Sequence, residues 1–219
     1  ERISQSSAEV LWSHCNGEEL AYFRETVRLA GLLHDLGHPP FSHVSEKFMP
    51  KLSALGIPEG WLAERADRQA RHEDYSVALI AALAQESGSA IGADQAQDIA
   101  SLIHHGVSPS ASWERRFGPS RDGRGGIHHL LRSLISGELD CDRMDYLLRD
   151  AYYTGVASGT HDIEHLIGNL GVVDMFGFLL LTIDSTAVRA FEDFLLARYH
   201  MFLQVYMHKT TIGFDYFLE

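Results

Sequence analysis

The feature that most constrains this chain is a helix that has to stop on polar residues. An apolar run from Val27 to Leu33 leads into His34-Asp35, and Gly37 with the pair Pro39-Pro40 then breaks the helix. The two side chains therefore sit at a helix end, where a polar pocket can open. A second polar cluster follows in "GELDCDRMDYLLRDAYYTG", residues 137–155. There Asp142, Asp145, Tyr146, Arg149 and Asp150 lie at offsets of 3, 4, 7 and 8, one face of a helix. An imidazole and two carboxylates converging from two helices are a metal site in outline.

The 219 residues suffice for one compact domain or a domain with a small lobe, and an apolar content of 45% supports a real core. No apolar run reaches 18 residues; the longest candidate, "MFGFLLLTI" at 175–183, is too short to span a membrane. No signal peptide is evident. The two cysteines, Cys15 and Cys141, make no disulfide framework and are read as reduced, which places the chain in the cytoplasm. The net charge of −12 argues against a general nucleic-acid surface. It does not argue against a nucleotide, because a few arginines and a metal bind phosphate inside an acidic protein. Neither a phosphate-binding G-x-x-x-x-G-K-[ST] loop nor a G-x-S-x-G elbow is present.

The pattern predicts a mainly α-helical fold with a small β-hairpin. Helices are expected over 23–35, 41–49, 72–84, 94–105 (Asp94 as N-cap), 127–136 and 139–153. Residues 106–126 read as a long loop rich in Gly, Pro, Ser and Arg. "GVVDMFGFLLLTI" reads as the hairpin, turning around Asp174–Gly177, and helix resumes over 186–209. A helical core of 1–168 followed by a hairpin and long helix of 169–219 is the expected organisation. The polar start and the stop within "FDYFLE" are read as cuts from a longer parent.

"HDLGHPPFSH" followed by "DCDRMDYLLRDAYYTG" resembles the HD superfamily of metal-dependent phosphohydrolases, in its deoxynucleoside-triphosphate triphosphohydrolase branch. Weaker matches extend the resemblance over most of residues 27–209. It implies an HD-domain helical bundle with His34, Asp35 and Asp142 as ligands to a divalent metal, whether Mn, Fe, Mg or Zn. It also implies a further upstream histidine in an R-F-x-H context, which His14 lacks; His14 is read as a surface residue.

The resemblance further implies that His72 and Glu46 form a proton-handling pair near the attacked phosphorus. His43 matches an active-site histidine that can serve instead, and His38 joins the substrate residues. Glu46 stands where a family member has Asp. Arg143 (a family Lys) and Arg198 match phosphate contacts, Tyr146 and Asp150 match deoxyribose contacts, and Tyr206 lies two helical turns beyond Arg198, beside sugar and base. A tyrosine under C2′ clashes with a 2′-hydroxyl, which favours deoxy substrates. Asp145 is read as an ion pair with Arg149. The arginines of 115–124 and the pair His161/His165 are read mainly as solvated.

The implied reaction is hydrolysis of deoxynucleoside triphosphates to deoxynucleoside and triphosphate, by a homo-oligomer with a possible nucleotide activator. The alternatives are another HD phosphohydrolase, acting on a nucleoside monophosphate or signalling nucleotide, and a nucleotide-binding regulatory protein whose site is incomplete.

Overall fold

The computed structural model describes residues 15–62, 68–117 and 126–218. It is mainly helical with one two-stranded antiparallel sheet, as expected, and falls into two compact units, Asn16–Gly137 and Glu138–Glu219, the latter taking in Cys15. No helix among the described residues is long and apolar enough to cross a membrane.

The first unit opens with α1, Gly17–Leu33. It begins earlier than the apolar periodicity suggests, because Asn16 caps it. The Asn16 side chain accepts from the N–H groups of Glu18 and Glu19, and Glu19 reaches back to the Asn16 N–H at 2.9 Å. The segment after the proline pair forms a 3₁₀ turn, Ser42–Phe48, where a regular helix was expected. It is entered through Phe41 and Ser42, both at positive φ. The helices α2 (His72–Gln85), α3 (Ala93–Ile103), α4 (Ala111–Phe117) and α5 (Gly126–Ser133) follow. Gly92, and not Asp94, is the N-cap of α3; Asp94 sits in its first turn.

The expectation of an unbroken loop over 106–126 is corrected by α4. Trp113 is buried and anchors this helix, with its ring 5.1 Å from Phe23. Residues 118–125 of that stretch, with Arg121 and Arg124, lie outside the described residues, as does His14. The helix α3 is the centre of the unit and packs against α1, α2, α4 and α5. Its Ala96, Ile99, Ala100 and Leu102 are fully buried, as are Val77 and Ile80 of α2. Removing each large side chain from water contributes about 1.5–3 kcal/mol.

The second unit starts at α6, Cys141–Thr154, capped by Asp140, whose carboxylate accepts the Arg143 N–H at 2.8 Å. A short α7 (Ile163–Gly168) leads into β1 (Leu170–Met175) and β2 (Phe178–Ile183), paired in register from Leu170↔Ile183 to Met175↔Phe178. The two-residue turn, Phe176-Gly177, has both residues at positive φ, the combination that matches the strand twist. The helix expected over 186–209 is α8 (Val188–Met201), running on into a π turn (Phe202–Tyr206), and a further helix, α9 (Lys209–Leu218), follows it. Met144, Leu147 and Ala151 of α6 bury against Leu166, Phe194 and Met201 to form this unit's core.

Candidate active site

His34 is the C-cap of α1. The chain leaving it is tied to α2 by one hydroxyl: Ser76 Oγ accepts from the Gly37 N–H at 2.9 Å and donates to the His34 carbonyl at 2.5 Å. Gly37 lies so close to α2 that an added Cβ would collide with the His72 carbonyl and the Ser76 nitrogen and stand 2.6 Å from Tyr75 Cβ. A side chain of any kind is excluded there.

His34 Nδ1 lies 2.9 Å from the Gly31 carbonyl, which only accepts, so this nitrogen carries the proton. In the neutral ring Nε2 is then the lone-pair nitrogen, and it lies 3.3 Å from Asp35 Oδ1. Two lone-pair atoms at this separation attract only through a proton or a cation. The same Asp35 oxygen is 3.4 Å from His38 Nε2. The donor set, a tautomer-fixed imidazole beside a carboxylate, suits a divalent metal.

His38, His43, Glu46 and His72, which sequence reasoning places together by resemblance, are brought together. Their ligand-capable atoms all lie within 4.8 Å of one another. The His38 and His72 rings stack at 4.0 Å, and His43 stands edge-on to both. Glu46 Oε1 accepts from His43 Nδ1 at 2.8 Å and from His72 Nδ1 at 2.5 Å. A carboxylate only accepts, so both rings hold their proton on Nδ1 and turn Nε2 outward. Burial pushes the Glu46 carboxyl up, but the hydrogen bonds and charge of His43 and His72 outweigh it and hold Glu46 below its usual range. Burial and the charge of His72 pull His38 down, against Asp35.

Behind the cluster lies a network that sequence reasoning missed. Asp74 is fully buried and accepts from both Arg68 Nη1 (2.7 Å) and Nη2 (2.8 Å), and from the Arg71 N–H (2.7 Å). His104 Nδ1 accepts the Gly106 N–H, so its Nε2 carries a proton toward Asp74 at 3.2 Å. Burial opposes ionisation of Asp74; its hydrogen bonds from His104, Arg68 and Arg71 overcome that and hold the carboxyl far below its usual range. Asp74 thereby fixes the first turn of α2, which carries His72. Farther off, His128 is buried with Nε2 2.8 Å from Ser101 Oγ, and burial, aided by Arg132 and His129, pushes it down to about 3.

In the second unit, Asp142 stands in the first turn of α6, where the helix dipole favours negative charge. Arg143 and Arg198 both approach Glu138 Oε2, at 3.5 and 3.4 Å. Tyr206 donates to Asp150 Oδ2 at 2.7 Å and meets Tyr146 edge-on at 6.1 Å. Burial and the bond to Asp150 push the Tyr206 phenol up, so it stays a donor. Asp145 pairs with Arg149 at 3.1 Å, as read from the spacing. His161 and His165 do not act as a pair: the His161 ring packs on Phe194, and the His165 N–H is received by Asp162, the cap of α7.

A sequence model of the HD domain matches residues 11–150. Protein MG461 of Mycoplasma genitalium is 31% identical over 192 residues, covering 87% of this chain and 39% of its own length. The human deoxynucleoside triphosphate triphosphohydrolase SAMHD1 is 26% identical over 196 residues, 84% of this chain and 29% of that protein. The chain thus spans well under half the length of these relatives. Among solved structures, a phosphohydrolase of Bacteroides thetaiotaomicron superposes with a TM-score of 0.59 at 31% identity, covering 89% of this chain and 37% of that one. This chain belongs to the HD-domain family.

Proposed function

We propose that the protein hydrolyses deoxynucleoside triphosphates to deoxynucleoside and intact triphosphate with the help of a divalent metal. The observation that carries this reading is the double acceptance by Glu46, which leaves two imidazoles, His43 and His72, with their Nδ1 protons fixed and their Nε2 atoms ready for proton transfer. His34 and Asp35, with Asp142 as the family motif implies, would hold the metal; bound there, it supplies Lewis acidity and lowers the pKa of a water.

The remaining steps belong to the chain's own residues. Glu46 stabilises the imidazolium of His72 or His43, whose Nε2–H is given to the departing 5′-oxygen as a water oxygen bonds to the α-phosphorus, releasing its proton to solvent, and the P–O5′ bond breaks. Arg143 and Arg198 neutralise charge on phosphate oxygens. Asp150, oriented by the Tyr206 hydroxyl, accepts from the 3′-hydroxyl, and the Tyr146/Tyr206 pair excludes a 2′-hydroxyl. The similarity to SAMHD1 supports the substrate class. Self-association, with a nucleotide as activator, belongs to the same reading and is checked by light scattering with and without dNTP.

The test is incubation with each dNTP and Mn or Mg, with products resolved by anion exchange. Deoxynucleoside with intact triphosphate is expected. Release of orthophosphate or pyrophosphate would move the assignment to a different HD phosphohydrolase reaction, and no turnover would favour a binding role. Asp142→Ala is expected to lose both bound metal, by elemental analysis, and turnover.

A further inference from the structure

Arg143 on α6 and Arg198 on α8 come from separate helices, yet both guanidinium groups meet at one oxygen, Glu138 Oε2. The arginine side chains are only 24% and 31% exposed, whereas that of Glu138 is 81% exposed. The cations are held in the fold and the anion is not. Arg143 has a second anchor, since its Nε lies 3.7 Å from the buried carboxylate of Asp140. It therefore keeps its place if Glu138 moves. Two partly buried guanidinium groups aimed at one oxyanion position are a phosphate-binding arrangement, here filled by the chain's own carboxylate.

We propose that Glu138 stands in for a phosphate oxygen between Arg143 and Arg198, and that a polyphosphate chain enters by displacing it. The inference rests on the reading of these arginines as phosphate-binding residues and adds a regulation to it. A single exposed carboxylate is weakly held, so a ligand carrying several negative charges and paired oxygens displaces it readily. A singly charged anion gains little by the exchange. Glu138 thus occupies the oxyanion position and screens out small anions.

Inorganic triphosphate is the probe, titrated calorimetrically into the whole chain in metal-free buffer. Glu138→Gln keeps the shape and removes the competing charge, and is expected to tighten binding by about three- to thirty-fold, the loss of two exposed ion pairs. Glu192→Gln, which removes an exposed carboxylate paired with Arg189, controls for net charge and is expected to leave binding unchanged. An unchanged or weaker affinity in Glu138→Gln overturns the proposal, because the carboxylate then braces the arginines and is never displaced. So does equal tightening in Glu192→Gln, which reduces the effect to net charge. Tightening specific to Glu138→Gln without dNTP hydrolysis would keep this inference and remove the substrate reading. No triphosphate binding by either protein removes both.

Discussion

Replacing Gly37 by alanine tests whether the site is held by the stitch between the end of α1 and the start of α2. The new Cβ would have to enter space held by the His72 carbonyl, the Ser76 nitrogen and Tyr75 Cβ, which are all main-chain or Cβ positions without rotamers to swing aside. Relief requires the chain at 34–37 to back away, which breaks the Gly37 N–H···Ser76 Oγ and Ser76 Oγ–H···His34 bonds. Two net hydrogen bonds at about 1 kcal/mol each and overpacking of about 1–3 kcal/mol give a loss of about 3–5 kcal/mol. With a urea slope of about 2–3 kcal/mol per M, the midpoint falls by about 1–2.5 M. Trp61 and Trp113, two of the three tryptophans, lie in this unit, so fluorescence during urea unfolding reports mainly on it. Gly56→Ala, where a Cβ meets nothing within 4 Å, is the control and should stay within about 0.5 kcal/mol of the parent. A Gly37→Ala protein within about 1 kcal/mol of the parent would refute the argument, since the loop would then move without breaking the stitch.

Three further outcomes are expected. Asp74→Asn should cost about 3–5 kcal/mol at pH 7, because it leaves Arg68 and His104 facing a neutral group. Since the folded-state carboxyl lies far below the unfolded one, its stabilisation is complete above about pH 4 and fades as pH falls through the folded value; the gap between parent and variant in urea should therefore narrow toward low pH. Glu46→Gln should lower kcat by about 10²–10⁴-fold while metal content, by elemental analysis, is unchanged; parallel loss of metal would show that Glu46 acts as a ligand. Tyr206→Phe deletes the 2.7 Å bond to Asp150 and should cost about 1 kcal/mol, read as a fall of about 2–4 °C in Tm, with a raised KM for dNTP.

The parts of the fold that were legible in the sequence are those set by local rules. Gly37 and the prolines end α1 where expected, and Phe176-Gly177 makes the hairpin turn. The helix at 111–117 was hidden by its composition: Ser, Pro and Arg read as loop, while the signal for it, Ser110 ahead of an apolar Trp113, is a single cap. The Ser110 hydroxyl indeed accepts the Trp113 N–H at 3.1 Å. The His43/Glu46 contact was readable from its spacing, but the link from Glu46 to His72 crosses 26 residues and only the family resemblance suggested it. The Arg68–Asp74–His104 network had no such guide; Arg68 precedes α2 and sits six residues before Asp74, a spacing no helical or strand periodicity pairs, and His104 is the C-cap of another helix. The sense of Glu138 as a partner of both arginines is likewise a property of the folded unit, since Arg198 lies 60 residues away.

The π turn at Phe202–Tyr206 sets a phase. Eight residues of uninterrupted α-helix rotate through about 800°, which would leave Tyr206 about 80° around the axis from Arg198. A π turn takes in one extra residue, and the offset shrinks to about 20°, so the two side chains share a face after all. The wide turn therefore works as a vernier between a guanidinium and a phenol. Removing one residue from 202–205 would absorb the wide turn and leave Tyr206 seven regular residues, about 700°, beyond Arg198, still on its face, whereas forcing the same residues into regular α-helix would swing Tyr206 through about 100° and take its hydroxyl away from Asp150.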